Sequence, residues 1–364
     1  MKTAIVHYWL IGMRGGEKVL SALLDIFPDA DIFTHVYDLK AVSEKIANHN
    51  VYTSFIQDLP FSKRLYQNYL PLMPLALEQF DLRDYDLVIS SESGPAKGVL
   101  TRPDALHICY CHTPMRYLWD MYHDYKKQAG PLKRLAMTPL LHYMRMWDLA
   151  SAQRVDHFIA NSNYVASRIR KYYRQNATVI YPPVAVDEFY SSDEPKDFYL
   201  MVGQLVGYKR ADLAVRAFNR MGKRLVVIGD GEQLSMLQKI AKKNIVLMGK
   251  QPFEVIKKHF ARCRALIFPG MEDFGIVPVE AMASGRPVIA YGRGGALETI
   301  VEGETGLFFR EQSEVSIIEA VEEFEKTKSN ITSEACRNQA KTFDLDRFTE
   351  EIKEFVLSAC EKIA

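Results

Sequence analysis

At 364 residues, 48% of them apolar and 25% charged, the chain has the length of two domains and the composition of an ordinary folded protein. A formal net charge of +1 excludes a broad electropositive field for nucleic acid, and no apolar run is long enough to span a bilayer. Five cysteines at unrelated spacings exclude a disulfide framework and a zinc site; Cys109 and Cys111 read as core thiols of a protein in a reducing, cytoplasmic compartment. Thr3–Tyr8 is apolar and β-branched, and reads as a first strand and not as a signal peptide, because no cleavage site follows. The next loop ends in Gly15-Gly16, and a helix is expected over Glu17–Phe27; strand, paired glycines and helix can seat an anion, or simply form a tight turn. Asp31–Tyr37, Asp86–Ser90 and Ala105–Cys111 read as further strands, the last ending in His112-Thr113-Pro114. A His at the C-terminal end of a strand in an α/β sheet stands where such sheets bind ligands. Asp84-Tyr85-Asp86 has the spacing of a metal-holding pair, but it precedes a strand, at the wrong end of the sheet, and reads as surface.

The stretch 125–147 carries Lys126, Lys127, Lys133, Arg134 and Arg145, has no acid, and interleaves these with Leu and Met. Such a helix suits an anionic membrane surface, and equally suits ordinary packing with the basic side chains in water. Val155–Ala160 is a strand, Asn161-Ser162 can cap a helix over Tyr164–Tyr173, and Thr178–Tyr181 closes the first sheet. Tyr181–Lys196, with three prolines among acids and serines, reads as a connection between domains.

A second sheet starts at Phe198–Val202, followed by the loop from Gly203 to Arg210 and a helix over Ala211–Arg220. Arg224–Ile228 and Ile245–Met248 are its next strands. The richest segment runs from Phe268 to Phe308. Ala265–Phe268 is a buried strand, and a loop with Glu272 and Gly275 leads to a helix with Pro278 in its first turn. Gly285 stops that helix, Pro287–Tyr291 is a strand, and Gly292, Gly294 and Gly295 form a loop where phosphates can approach the backbone. A helix N-terminus at the end of a strand suits phosphate. Two carboxylates beside it, Glu272 and Glu280, are tolerable if they accept hydrogen bonds from neutral donors, and sugar hydroxyls are the obvious ones. Phosphates flanked by two sugars describe a nucleotide sugar. A last helix is expected over Phe343–Cys360.

With EDFG, EAMASGRPVIA and the following GG-x-x-E, this segment resembles the signature of retaining family 4 glycosyltransferases of the GT-B fold. The resemblance implies an α/β chain of two Rossmann-like domains facing a cleft: an acceptor domain over 1–185, a donor domain over 186–342, and a helix over 343–364 returning to the first domain. It implies that Glu272 holds the transferred sugar and Glu280 the ribose, with Phe274, Gly275 and Ile276 at the donor. Lys209 would neutralise the diphosphate, met also by the Gly15 and Gly16 amides. The family has Arg where this chain has Gln204. An amide supplies no charge, so Arg210 or Arg14 would have to compensate. CHTPMRYLWD is similar to the motif of members that transfer mannose to bacterial surface glycans, which implies that His112 contacts the donor sugar beside the reacting centre.

The expected activity is transfer of a hexose, mannose from GDP-mannose, onto a lipid-linked oligosaccharide or surface polysaccharide precursor. It needs no cofactor and no metal, and takes place in the cytoplasm or at the inner face of the membrane. The alternatives are the same chemistry with a UDP- or dTDP-sugar, and a non-catalytic nucleotide-sugar-binding subunit, which Gln204 favours. A GT-B epimerase would need acid/base carboxylates that the sequence does not reveal.

Overall fold

Short runs of Val, Ile and Leu, separated by helices, form strands buried on both faces, the pattern of parallel sheets. A computed structural model of the chain describes residues 1–128, 130–192, 196–327 and 330–361, with Gln128, Leu132 and Lys133 in backbone only. The acidic part of the expected connection, Asp193–Pro195, lies outside the described residues. The chain forms two units, one of residues 1–181 with the C-terminal helix from Phe348, the other of Pro182–Arg347.

The first unit holds β1 (Thr3–His7), β2 (Asp31–Thr34), β3 (Val51–Thr53), β4 (Leu87–Glu92), β5 (Leu106–Cys111), β6 (His157–Ala160) and β7 (Ala177–Val179). They form one sheet in the order β3-β2-β1-β4-β5-β6-β7, all parallel. The strand order reverses between β1 and β4, where open α/β sheets bind ligands beyond the carboxyl ends of the strands. β3 was not anticipated: its three residues sit at the sheet edge, partly exposed, and show no apolar run. The stretch that follows folds as short helical turns, among them Ser62–Leu65 and Met73–Glu78.

The helix Gly15–Ile26 packs on one face of this sheet, and the helix Leu345–Glu361 shares its cluster. Phe348, Ile352, Val356 and Ala359, at helical spacing, lie buried among Ile5, Leu20 and Tyr110. The last helix therefore completes the core of the N-terminal sheet, as expected. On the other face, the helix Pro131–Ala152 seats Leu141, Met144 and Trp147 against Ala4, Val6 and Val88. Ser162 caps the helix Asn163–Tyr173, accepting from the Val165 N–H at 3.1 Å. Cys109 and Cys111 are free and buried.

This unit also encloses a charge cluster with no counterpart in the sequence analysis. Lys97, Glu92 and Asp148 are all fully buried. The Lys97 ammonium donates to Oε1 of Glu92 at 2.7 Å and also to Oδ1 of Asp148. Asp148 accepts from the Trp119 indole at 2.7 Å and from the Tyr173 hydroxyl. Glu92 accepts the backbone N–H groups of Ala96 and Lys97. Every charge is thus paired and hydrogen-bonded, the condition under which burial is tolerable.

The second unit holds β8 (Tyr199–Val202), β9 (Leu225–Ile228), β10 (Ile245–Leu247), β11 (Leu266–Phe268), β12 (Val288–Tyr291) and β13 (Gly306–Phe309). Their order is β10-β9-β8-β11-β12-β13, again all parallel, with the reversal between β8 and β11. The order 3-2-1-4-5-6 thus occurs in both units, with β7 added at the edge of the first.

Candidate functional site

In the second unit the loops leaving β8 and β11 flank the point where the strand order reverses, and each delivers one expected residue. Lys209 ends the short turn Gly207–Lys209, and Glu272 lies in the loop after β11. Nζ of Lys209 stands 2.8 Å from Oε1 of Glu272, with the two side chains 17% and 21% exposed. This is a charge contact and not an aligned hydrogen bond. It puts a reachable cation beside a reachable carboxylate at the carboxyl end of the sheet. Gly275, left-handed at φ 96°, leads into the helix Ile276–Ala283, whose first amides lie within a few residues of Glu272 in the chain. Glu280 is in that helix and only 7% exposed. Phe274 turns its ring inward against Phe343, with centroids 5.4 Å apart, so its side chain is scaffold.

Two features differ from the sequence reading. A Cβ at Gly294 would fall 2.4 Å from the carbonyl oxygen of Glu272, and at Gly295 2.3 Å from Cα of Phe274. Backbone packing against the 272–274 loop, held by a Gly295 N–H to Glu272 carbonyl bond of 2.9 Å, already accounts for these glycines. They shape the loop that carries Glu272. Arg210 directs its guanidinium to Asp212, at 3.2 Å and 3.4 Å, so its charge is already engaged. Gln204 is exposed in the loop after β8.

In the first unit, Gly15 and Gly16 open the helix Gly15–Ile26, and the Arg14 N–H donates to Glu17 at 3.0 Å. Gly16 is closely approached: a Cβ there would lie 2.5 Å from the Tyr8 hydroxyl, which would have to shift. His112 follows β5 directly and is partly buried. Its Nε2 lies 2.9 Å from the Ser91 hydroxyl, which also lies 3.1 Å from Nδ1 of His7. His7 and Ser91 face each other in register at the ends of β1 and β4. Burial lowers His112 to about 4, and burial together with the neighbouring His112 lowers His7 well below its ordinary value, so both rings are neutral at neutral pH. His7 and Ser91 were missed because each reads as an ordinary strand residue. The signal was their position at two strand ends that become neighbours only through the parallel pairing.

Among the described residues no group of His, Cys, Asp and Glu could hold a metal ion, and no helix is long and apolar enough to cross a membrane.

Comparison with known proteins agrees with this architecture. The family described as Glycosyltransferase Family 4 matches residues 13–188, and the one described as Glycosyl transferases group 1 matches residues 186–343. A glycosyltransferase of Methanocaldococcus jannaschii, described as uncharacterized, is 31% identical over 157 residues, which are 42% of this chain and 44% of that protein. The alpha-1,3/1,6-mannosyltransferase alg2 of Schizosaccharomyces pombe is 24% identical over 376 residues, covering 84% of this chain and 70% of that protein. Among solved structures, Anabaena HepE in complex with UDP and glucose has a TM-score of 0.74 at 16% identity, over 98% of this chain and 100% of that one, a likeness of fold. Matched in this way from residue 13 to residue 343, and built on two parallel sheets of one strand order, the chain belongs to the family 4, group 1 glycosyltransferases of the GT-B fold.

Proposed function

We propose that this chain transfers mannose from GDP-mannose, with retention of configuration, onto a lipid-linked oligosaccharide or surface polysaccharide precursor at the cytoplasmic side of the membrane. The observation that carries the reading is the Lys209–Glu272 pair at the strand-order reversal of the second sheet. Its ammonium suits the donor diphosphate and its carboxylate suits the hydroxyls of the transferred sugar. Glu280 takes the ribose hydroxyls. Gln204, Arg210, Gly275, Ile276 and the Phe274 backbone line the donor's path, and the Gly15 and Gly16 amides with His112 complete its contacts. The similarity to a named mannosyltransferase supports the choice of sugar. In the reaction the acceptor oxygen bonds to the anomeric carbon while the bond from that carbon to the phosphate oxygen breaks. The proton of the acceptor passes to the departing phosphate. Charge grows on the diphosphate as that bond breaks, and Lys209 stabilises it electrostatically.

A thermal-shift screen with GDP-mannose, UDP-glucose, UDP-N-acetylglucosamine and dTDP-rhamnose tests the donor, because a ligand of the native state raises the melting temperature. GDP-mannose is expected to give the largest rise, and Glu280→Ala to remove most of it. A larger rise with a UDP- or dTDP-sugar would replace the donor, and a full rise in Glu280→Ala would remove the ribose assignment.

For a lipid-linked acceptor, we further propose that the outer face of the helix Pro131–Ala152 rests on anionic lipid. Leu135 is 75% exposed, and Met146, Tyr143 and Leu149 are exposed beside it. Lys127 and Arg134 are exposed, and Arg134 donates to the Lys126 and Lys127 carbonyls at 3.2 Å and 3.3 Å. Arg145 does not belong to this basic face. It is partly buried, donates to the Leu118 carbonyl at 2.9 Å and stacks over Tyr122, so packing and not solvent holds it. The Lys133 side chain lies outside the described residues. In sedimentation with vesicles, binding is expected to rise with phosphatidylserine content. Replacing Lys126, Lys127 and Arg134 by Gln is expected to weaken it about a hundredfold, at about 1 kcal/mol per charge near the surface. Equal binding to neutral and anionic vesicles would exclude the proposal.

A further inference from the structure

The Ser91 hydroxyl sits between two imidazoles, 3.1 Å from Nδ1 of His7 and 2.9 Å from Nε2 of His112. It has one proton, so it donates to one ring and accepts an N–H from the other. Two arrangements satisfy both contacts. In the first, His7 donates from Nδ1 to Ser91, which donates to Nε2 of His112. His112 then carries its proton on Nδ1, and Nε2 of His7 is bare. In the second every donor and acceptor is reversed: His112 donates from Nε2, and His7 carries its proton on Nε2.

The buried end decides between them. His7 and Ser91 are both 0% exposed, and Nε2 of His7 has no hydrogen-bond partner. The His7 ring lies against Tyr8, with centroids 4.1 Å apart, and a Cβ at Gly16 would stand 3.4 Å from its Cε1. The second arrangement would bury the Nε2–H of His7 with no acceptor, and orphaned buried donors are the rarer defect. The first leaves only a bare ring nitrogen there.

We infer that Ser91 and His7 are positioning residues that hold His112 in the Nδ1–H tautomer, so that the ring nitrogen not engaged by Ser91 is a hydrogen-bond donor. Burial keeps both rings neutral, so the single proton is not duplicated. A neutral donor fits a sugar hydroxyl or phosphate oxygen. It also means that Nδ1 is not available as a base toward the acceptor hydroxyl. The consequence for catalysis rests on the proposed contact between His112 and the donor; the tautomer itself does not.

The test is nitrogen-15 NMR of the full chain labelled at histidine, with His112→Gln and His7→Gln used to assign the two rings. Both are expected to appear as Nδ1–H. Both appearing as Nε2–H would overturn the inference. Ser91→Ala is expected to release His112 to the Nε2–H form, and Ser91→Thr, which keeps the hydroxyl, to restore Nδ1–H. An unchanged tautomer in Ser91→Ala would show that Ser91 does not set it. With GDP-mannose as donor, Ser91→Ala is expected to lower kcat about tenfold, the size of one hydrogen bond, with recovery in Ser91→Thr. Nδ1–H rings in a protein that turns over no nucleotide sugar would sink the transferase reading and leave the tautomer standing.

Discussion

Lys209→Ala is expected to lower turnover about 10²–10³-fold, the cost of removing one preorganised donor from a developing negative charge, while the protein keeps its melting temperature. The ammonium is partly exposed and stands beside the equally reachable Glu272, so its loss opens no hole in the core. Glu272→Ala should produce a loss of similar order by a different route: the sugar loses its acceptor, and Lys209 loses the carboxylate that holds it in place. Because the two side chains touch, their effects should not add, and the double variant should be little worse than either single one. Arg210→Ala should cost less than either, because its guanidinium, although placed on the donor's path, is already held by Asp212. Near-normal rates in both Lys209→Ala and Glu272→Ala would remove the site, and a large loss in Arg210→Ala would show that Arg210 supplies the charge missing at Gln204.

The largest effect on stability is expected at Lys97. Replacing it by Met leaves Glu92 and Asp148 facing each other, fully buried, without their shared cation. Breaking a buried pair from one side costs about 3–5 kcal/mol, a large part of the 5–15 kcal/mol that a domain typically has. The loss should appear as a lower denaturant midpoint. It should also depend on pH in a definite direction. Burial holds the Glu92 carboxyl above its ordinary value, against the opposing charge of Lys97, and removing Lys97 takes that opposition away. A carboxyl raised in the folded state binds more protons folded than unfolded, so stability rises as pH falls. The deficit of Lys97→Met should therefore narrow toward the carboxylate range. Adding Glu92→Gln and Asp148→Asn should recover much of it, since neutral groups are cheaper to bury than unpaired charges. A loss under about 1 kcal/mol, or one indifferent to pH, would mean that the cluster is not the clamp described.

The cluster is instructive about what a chain reveals on its face. Glu92 ends a strand, Lys97 follows it in a loop, and Asp148 lies in a helix fifty-one positions beyond Lys97. Each alone reads as an ordinary charged residue. Their contact depends on how the helix Pro131–Ala152 lies across the sheet. The same holds for Arg145: grouped with the surface charges by composition, it is drawn inward by Tyr122 and the Leu118 carbonyl.

What the amino-acid order determined by itself was local and periodic. Apolar runs between helices announced two parallel sheets, Ser162 announced a cap, the apolar spacing over 343–360 announced a last helix, and EDFG with its following helix announced the family. These follow from backbone and side-chain preferences acting over a few residues. What only the tertiary structure decided were the contacts set by strand order. Parallel pairing of β1 with β4 brings His7 beside Ser91, eighty-four positions away, and the reversal between β8 and β11 brings Lys209 to Glu272. Neighbours of this kind share no local pattern, because a parallel connection must leave the sheet and return through a helix before two strand ends meet.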